Sequence, residues 1–167
     1  VTDISGSFIT SASAPSITVS TTGNAYIGYL ATDDWGALYP VVARNSNKDG
    51  TWSGTITNLS PFVPISSLMG LEVLAMANGK VIAAATGANN SNTVSYWIYN
   101  SGWGIENQTF GAYNIQITAL TAVGDDVHLA YSTGSEILHY YGTGTLNNSE
   151  SATDITYGVW PSISYDG

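Results

Sequence analysis

The sequence predicts an all-β protein made of repeated four-stranded antiparallel units, about three blades of a β-propeller. Three observations lead there. Helical periodicity is nearly absent, and short β-rich runs are broken by Gly, Asn and Asp turns. One strand–turn–strand segment recurs along the chain. Its turn anchors Gly23, Gly79, Asp125 and Gly167 are separated by 56, 46 and 42 residues, close to the period of roughly 40–50 residues expected of a propeller blade.

The strands follow in order. An apolar run opens each unit at Ser16 to Val19, Leu71 to Met76 and Ile117 to Val123. After the turn a second strand reads Asn24 to Tyr29, Lys80 to Ala85 and Asp126 to Tyr131. Third strands read Tyr39 to Arg44, Val94 to Tyr99 and Ile137 to Tyr141, and fourth strands Thr51 to Asn58, Trp103 to Phe110 and Leu146 to Ser151. Glycine-containing turns join third to fourth at Asp49-Gly50, Ser101-Gly102 and Gly142 to Gly144. In the second strand Val127, Leu129 and Tyr131 share one face, and His128 and Ala130 the other. Mixing of small and large residues suits strands buried between stacked sheets.

The units are approximately 14–60, 66–110 and 115–151, with the start of a further unit at 159–167, where Pro161-Ser162-Ile163 echoes Pro15-Ser16-Ile17. Thr2-Asp3-Ile4 and Thr153-Asp154-Ile155 stand at matching phases before the first and further units. Propellers have about four to eight blades, so three leave open edges. Either the chain is a segment of a longer propeller, or it self-associates to close a ring. The chain starts at Val1 with no signal peptide, as a processed or excised piece would. A β-sandwich is the alternative architecture.

Composition narrows the function classes. Charged residues make up 9% of the chain, against about 25% in an ordinary soluble domain. Ser, Thr, Asn, Gly and Tyr supply the polar surface, as in secreted or cell-surface proteins. Three basic residues, Arg44, Lys48 and Lys80, stand against twelve acidic ones. Nucleic-acid affinity rests on many cations that release counterions, and adsorption to anionic lipid needs a polybasic cluster, so both partners are excluded. The apolar stretch Leu68 to Ala85 is interrupted by Glu72, Asn78, Gly79 and Lys80 and predicts no membrane span. Without cysteine there is no disulfide, thiolate metal site or Cys nucleophile. Four N-x-S/T triplets, at Asn58, Asn89, Asn107 and Asn147, fit an extracellular setting.

The run Arg44-Asn45-Ser46-Asn47-Lys48-Asp49-Gly50-Thr51-Trp52 resembles the Asp-box hairpin of the sialidase-like (bacterial neuraminidase repeat) propellers, Ser-x-Asp-x-Gly-x-Thr-Trp. Thr51 and Trp52 match, while Asn45, Asn47 and Asp49 replace the Ser, Asp and Gly. The segment Tyr96 to Trp103 and the Pro-Ser-Ile openings look similar to these propellers and equally to the fungal fucose lectins. The resemblance implies the propeller architecture. For a sialidase it would also imply an arginine triad, a Tyr/Glu pair and an acid/base Asp. Arg44 is the only arginine, so no bidentate carboxylate clamp is available and a non-enzyme is expected.

A glycosidase needs two carboxylates, and the doublets Asp33-Asp34 and Asp125-Asp126 lie at turns, where Asp serves the backbone. Asn45-x-Asn47-x-Asp49-Gly50 mimics an oxygen-ligand loop but has no later acid where an EF-hand carries one, so a hairpin is expected. His128 and His139 read as lone structural imidazoles, and no metal or cofactor is expected. Trp52, Trp97 and Trp103 fall in outer strands as packing residues.

Trp35 differs, because it sits in the loop Thr32 to Gly36 between second and third strands. That loop shares a rim with the inter-blade connections, which carry Asn89, Asn90, Tyr113, Asn114 and Tyr157. With Asp33 and Asp34 these residues offer flat rings to stack on sugars and groups to bind hydroxyls. The expected function is an extracellular, lectin-like, carbohydrate-binding module with a glycan or cell-surface protein as partner. The alternatives are a structural surface-layer, adhesin or filament component, and the non-catalytic part of a sialidase-like glycosidase.

Overall fold

The computed structural model describes residues 9–33, 36, 38–45, 52, 56–59, 70–86, 93–105, 107–110, 118–132, 136–156 and 162–164. Among these residues twelve strands form three four-stranded antiparallel sheets, each a simple up-and-down meander. The first sheet holds β1 (Ile9–Val19), β2 (Ala25–Asp33), β3 (Leu38–Asn45) and β4 (Ile56–Asn58). The second holds β5 (Leu71–Ala75), β6 (Val81–Thr86), β7 (Thr93–Tyr99) and β8 (Asn107–Phe110), and the third β9 (Thr118–Val123), β10 (Asp126–Ser132), β11 (Glu136–Thr143) and β12 (Asn148–Thr156). The described sheets are blades of a β-propeller rather than the layers of a β-sandwich.

Tight turns set the registers. The β1–β2 turn pairs Val19 with Ala25, and its Gly23 takes a φ of 80° that a side chain would resist. Gly79 does the same between β5 and β6, at 82°. Within β1 the register slips between Ser13 and Ser16, where Pro15 has no N–H to donate and Ala14 turns to a φ of 50°.

Some strands depart from the sequence reading. β1 begins at Ile9 rather than Ser16, because the bulge lets pairing resume beyond the proline. β12 includes Thr153, Asp154 and Ile155, which the sequence reading assigns to the lead-in of a further unit. Pairing of Glu136 with Thr156 across another register slip carries the strand that far.

The sheets stack face to face through two cores. Between the first and second sheets lie Tyr26, Leu30, Val42 and Leu59 against Leu71, Val73, Val81, Ala83, Ala85 and Trp97. Between the second and third lie Met76, Ile82, Ala84, Val94 and Tyr96 against Val127, Leu129, Tyr131 and Leu146. The middle sheet is therefore covered on both faces, and Val81 to Ala85 are all 0% exposed. This explains the unbroken apolar run in β6, where a strand with one wet face would alternate with polar residues. Small residues oppose large ones across the pairs Ala83–Trp97 and Ala84–Tyr96, which keeps each layer evenly filled.

The leading strands of the sheets are stitched together. The Ser16 hydroxyl accepts the Val73 N–H at 3.2 Å and donates to Glu72 Oε2 at 2.9 Å. Two residues on, Thr18 Oγ1 accepts the Ala75 N–H at 3.0 Å. Ser16 and Thr18 thus face β5 while Ile17 and Val19 point away, 65% and 60% exposed. At the next junction Ala77 N–H donates to the Gly124 carbonyl and Asn78 N–H to Asp125 Oδ1, at 3.0 and 2.9 Å. Among the described residues no helix is long and apolar enough to cross a membrane.

Candidate functional site

Each meander sends its first and third hairpins to one end of the sheet and its second to the other, so the molecule has two rims. Asp33 closes β2 on the rim away from the first and third hairpins, where its backbone pairs with Ile9. Asp34, Trp35, Asn89, Asn90, Tyr113, Asn114 and Tyr157 lie outside the described residues, as do positions 46–51 of the Asp-box-like run. From the ends of that run, Arg44 and Asn45 finish β3, and Trp52 packs against Tyr29, Ala31, Val41 and Ala43 on the outer face of the first sheet.

A cleft that includes none of the sequence-predicted site residues opens on the opposite rim, at the junction of the first two sheets. This open cleft of about 410 Å³ is lined by Arg44, Thr57, Tyr99, Ser101, Gly102 and Trp103. The sequence alone gives Arg44 no binding role and Trp103 only a packing one. The structure brings both into one site. Arg44 arrives from β3, and Tyr99 and Trp103 arrive across the hairpin that links β7 to β8, where an isolated bridge pairs them. Asn100 N–H donates to the Gly102 carbonyl and Gly104 N–H to the Ile98 carbonyl, closing that hairpin tightly. Ser101 holds a φ of 63°, a left-handed conformation unusual for a residue with a side chain.

Aromatic contacts fix the arginine. Its guanidinium carbon lies 5.4 Å from the centre of the Tyr99 ring and 5.8 Å from that of Tyr26, within cation–π range of both. Arg44 Nη1 donates to the Tyr99 hydroxyl at 2.8 Å. Tyr99 meets Trp103 edge to face at 5.4 Å and Tyr26 at a tilt at 5.6 Å. Burial pushes the Tyr26 hydroxyl above its ordinary range, outweighing the downward pull of the neighbouring Arg44 charge. Arg44 Nε is buried with no hydrogen-bond partner.

A second cluster corrects the reading of two lone histidines. His128 on β10 and His139 on β11 sit diagonally across one strand pair, on the face turned away from the second sheet. His128 Nδ1 and His139 Nε2 are 3.0 Å apart, with one donating to the other. Their rings stack at 5.2 Å, and Tyr141 continues the stack 5.1 Å from His139. Cross-strand spacing brought them together, a pairing invisible without the register. Among the described residues no three His, Cys, Asp or Glu side chains gather as a metal site.

No protein-family model matches the sequence, and no curated protein matches it. Solved structures do share the fold. An alpha-L-arabinofuranosidase from Podospora anserina, in complex with cellotriose, superposes with a TM-score of 0.53 at 10% identity, over 88% of this chain and 52% of that one. A glycoside hydrolase family 43 arabinoxylan arabinofuranohydrolase from Bacillus subtilis, in complex with cellotetraose, gives 0.51 at 14% identity, over 86% of this chain and 36% of that one. The chain therefore spans about half of the first neighbour and about a third of the second. Both are β-propellers, and the likeness is one of fold.

Two expectations change. The resemblance to sialidase-like propellers narrows to propeller architecture, since these neighbours are arabinofuranosidases and no Asp-box is shown. The expectation of a non-enzyme is overturned, because both neighbours are glycoside hydrolases. The lack of an arginine triad speaks only against sialidase chemistry. A glycosidase acting on a neutral sugar needs two carboxylates and no such triad.

Proposed function

We propose that this chain contributes blades to a secreted, carbohydrate-active β-propeller whose partner is a glycan. The observation that carries the reading is the stack of three four-stranded meanders, shared over 88% and 86% of the chain with glycoside hydrolases holding cello-oligosaccharides. A surface poor in ions and rich in hydroxyls and amides supports it.

The proposed sugar-facing rim carries Asp33, Asp34, Trp35, Asn89, Asn90, Tyr113, Asn114 and Tyr157. Its aromatic rings would stack on pyranose faces, and its amides and carboxylates would bind hydroxyls. Titration with cellotriose and with arabinoxylan oligosaccharides, followed by tryptophan fluorescence, tests this. A saturable quench that is lost in Trp35→Ala is expected, and no response to any of these sugars would sink the reading. Chromatography of the same mixtures for released arabinose asks whether binding leads to cleavage.

A second reading, self-association, is favoured by Ile17 and Val19, which stand exposed beside the half-buried Ile27 on the outer side of the first sheet. Light scattering over a hundredfold concentration range tests it, and a constant monomer mass would remove it.

A further inference from the structure

We propose that the cleft between the first and second sheets is a separate binding site for an acidic sugar, a uronic acid residue, whose carboxylate is held by Arg44. The site stands on the rim opposite the one bearing Asp33. Arg44 and Asp33 lie at opposite ends of the β2–β3 ladder, which pairs Ala25 with Asn45 at one end and Thr32 with Leu38 at the other. At the strand rise this separates them by about 20 Å.

A guanidinium carries five N–H donors. Arg44 donates to the Tyr99 hydroxyl and stands close enough to the Tyr26 hydroxyl to act on it, and its Nε is buried without an acceptor. The chain has a net charge of −9, yet its only arginine forms no ion pair with a described carboxylate. Tyr26 and Tyr99 hold the cation on two sides and limit its hydration, so an arriving anion meets an oriented fork rather than a solvated, mobile charge. Carboxylate is the anion whose two oxygens fit that fork.

The remaining lining selects a sugar acid over a bare anion. No second cation lines the cleft among its described residues. A single positive charge balances one carboxylate and leaves a doubly charged phosphate half-neutralised. Trp103 and Tyr99 supply aromatic surface, and Thr57 and Ser101 supply neutral hydroxyls. Aromatic rings beside hydroxyls match the apolar faces and the ring hydroxyls of a pyranose. The left-handed Ser101 is among the residues lining this cleft. A cleft of about 410 Å³ falls within the roughly 300–1,000 Å³ range of small-molecule sites.

The test uses the whole chain labelled with nitrogen-15 and follows the Arg44 Nε–H resonance. As the only arginine, it gives an assignment-free signal. Glucuronate and a galacturonate oligomer are expected to shift it saturably, and to quench tryptophan fluorescence with the same midpoint. Cellotriose, acetate and inorganic phosphate at equal concentration should leave it in place.

Arg44→Gln should weaken uronate binding about ten- to a hundredfold, as loss of a charged hydrogen-bonding pair does. Trp35→Ala should leave it unchanged, which separates this site from the rim proposed above. If Arg44→Gln does not fold, the resonance of the unaltered protein decides alone. A resonance unmoved by saturating uronate overturns the proposal. An equal shift with acetate or phosphate overturns it too, by showing an anion site indifferent to the sugar.

Discussion

Gly28 and Val73 face each other across the first inter-sheet junction so closely that a methyl group at position 28 would stand 2.7 Å from Val73 Cγ1. The same methyl would meet Leu71 Cδ2 at 3.1 Å. Glycine is needed there for space alone, and its absence of a side chain lets two blades approach.

Gly28→Ala is therefore expected to destabilise the fold by about 1–3 kcal/mol, the usual cost of overpacking a filled core. A urea denaturation series measures it. Pairing Gly28→Ala with Val73→Ala should return part of the loss, since the smaller residue at 73 makes room for the added methyl.

The hydroxyl stitches between leading strands give a second expectation. Thr18→Val keeps the shape but leaves the Ala75 N–H without its acceptor, and Ser16→Ala takes the acceptor from the Val73 N–H and the donor from Glu72. Each should cost about 1–3 kcal/mol where the abandoned group stays buried. Hydrogen exchange at the Val73 and Ala75 amides should quicken in the matching variant, and unchanged exchange would contradict the assignment.

Trp97→Ala probes the middle sheet. Trp97 is buried at 1% exposure between β6 and the first sheet, so its truncation should cost about 3–5 kcal/mol. A loss of under 1 kcal/mol would mean that this junction is not a packed core.

Alkaline stability follows from Tyr26. Its folded-state hydroxyl is held above the ordinary value of 10.0, chiefly by burial. Below that value both folded and unfolded chains keep the proton, and the stabilisation is fully present. As pH rises past it the unfolded chain ionises first, so stability falls until the folded hydroxyl also ionises. Tyr26→Phe should lessen this decline between pH 9 and 11 in denaturation midpoints, and an unchanged slope would count against it.

The meanders were legible in the sequence because every hairpin joins neighbours in the chain. Turn residues such as Gly23, Gly79 and Ser101-Gly102 mark the reversals, and alternation in Val127, Leu129 and Tyr131 marks a buried face. The lone-histidine reading failed for a related reason. Residues 128 and 139 meet only through the β10–β11 register, and a slip of one position would put them on opposite faces. The non-enzyme reading failed because it tested one sugar chemistry, the carboxylate clamp, and glycoside hydrolysis has others.

By itself, the sequence determined the all-β class, the blade period and the unbroken apolar strand that needs a sheet on each side. Those follow from contacts only a few residues apart and from side-chain periodicity. Tertiary structure alone decided that Arg44 would lie beneath Tyr99 and beside Trp103. The hydrogen bond between Arg44 and Tyr99 spans 55 positions and joins two different sheets. Stacking geometry sets such a contact, and no local pattern in the chain encodes it.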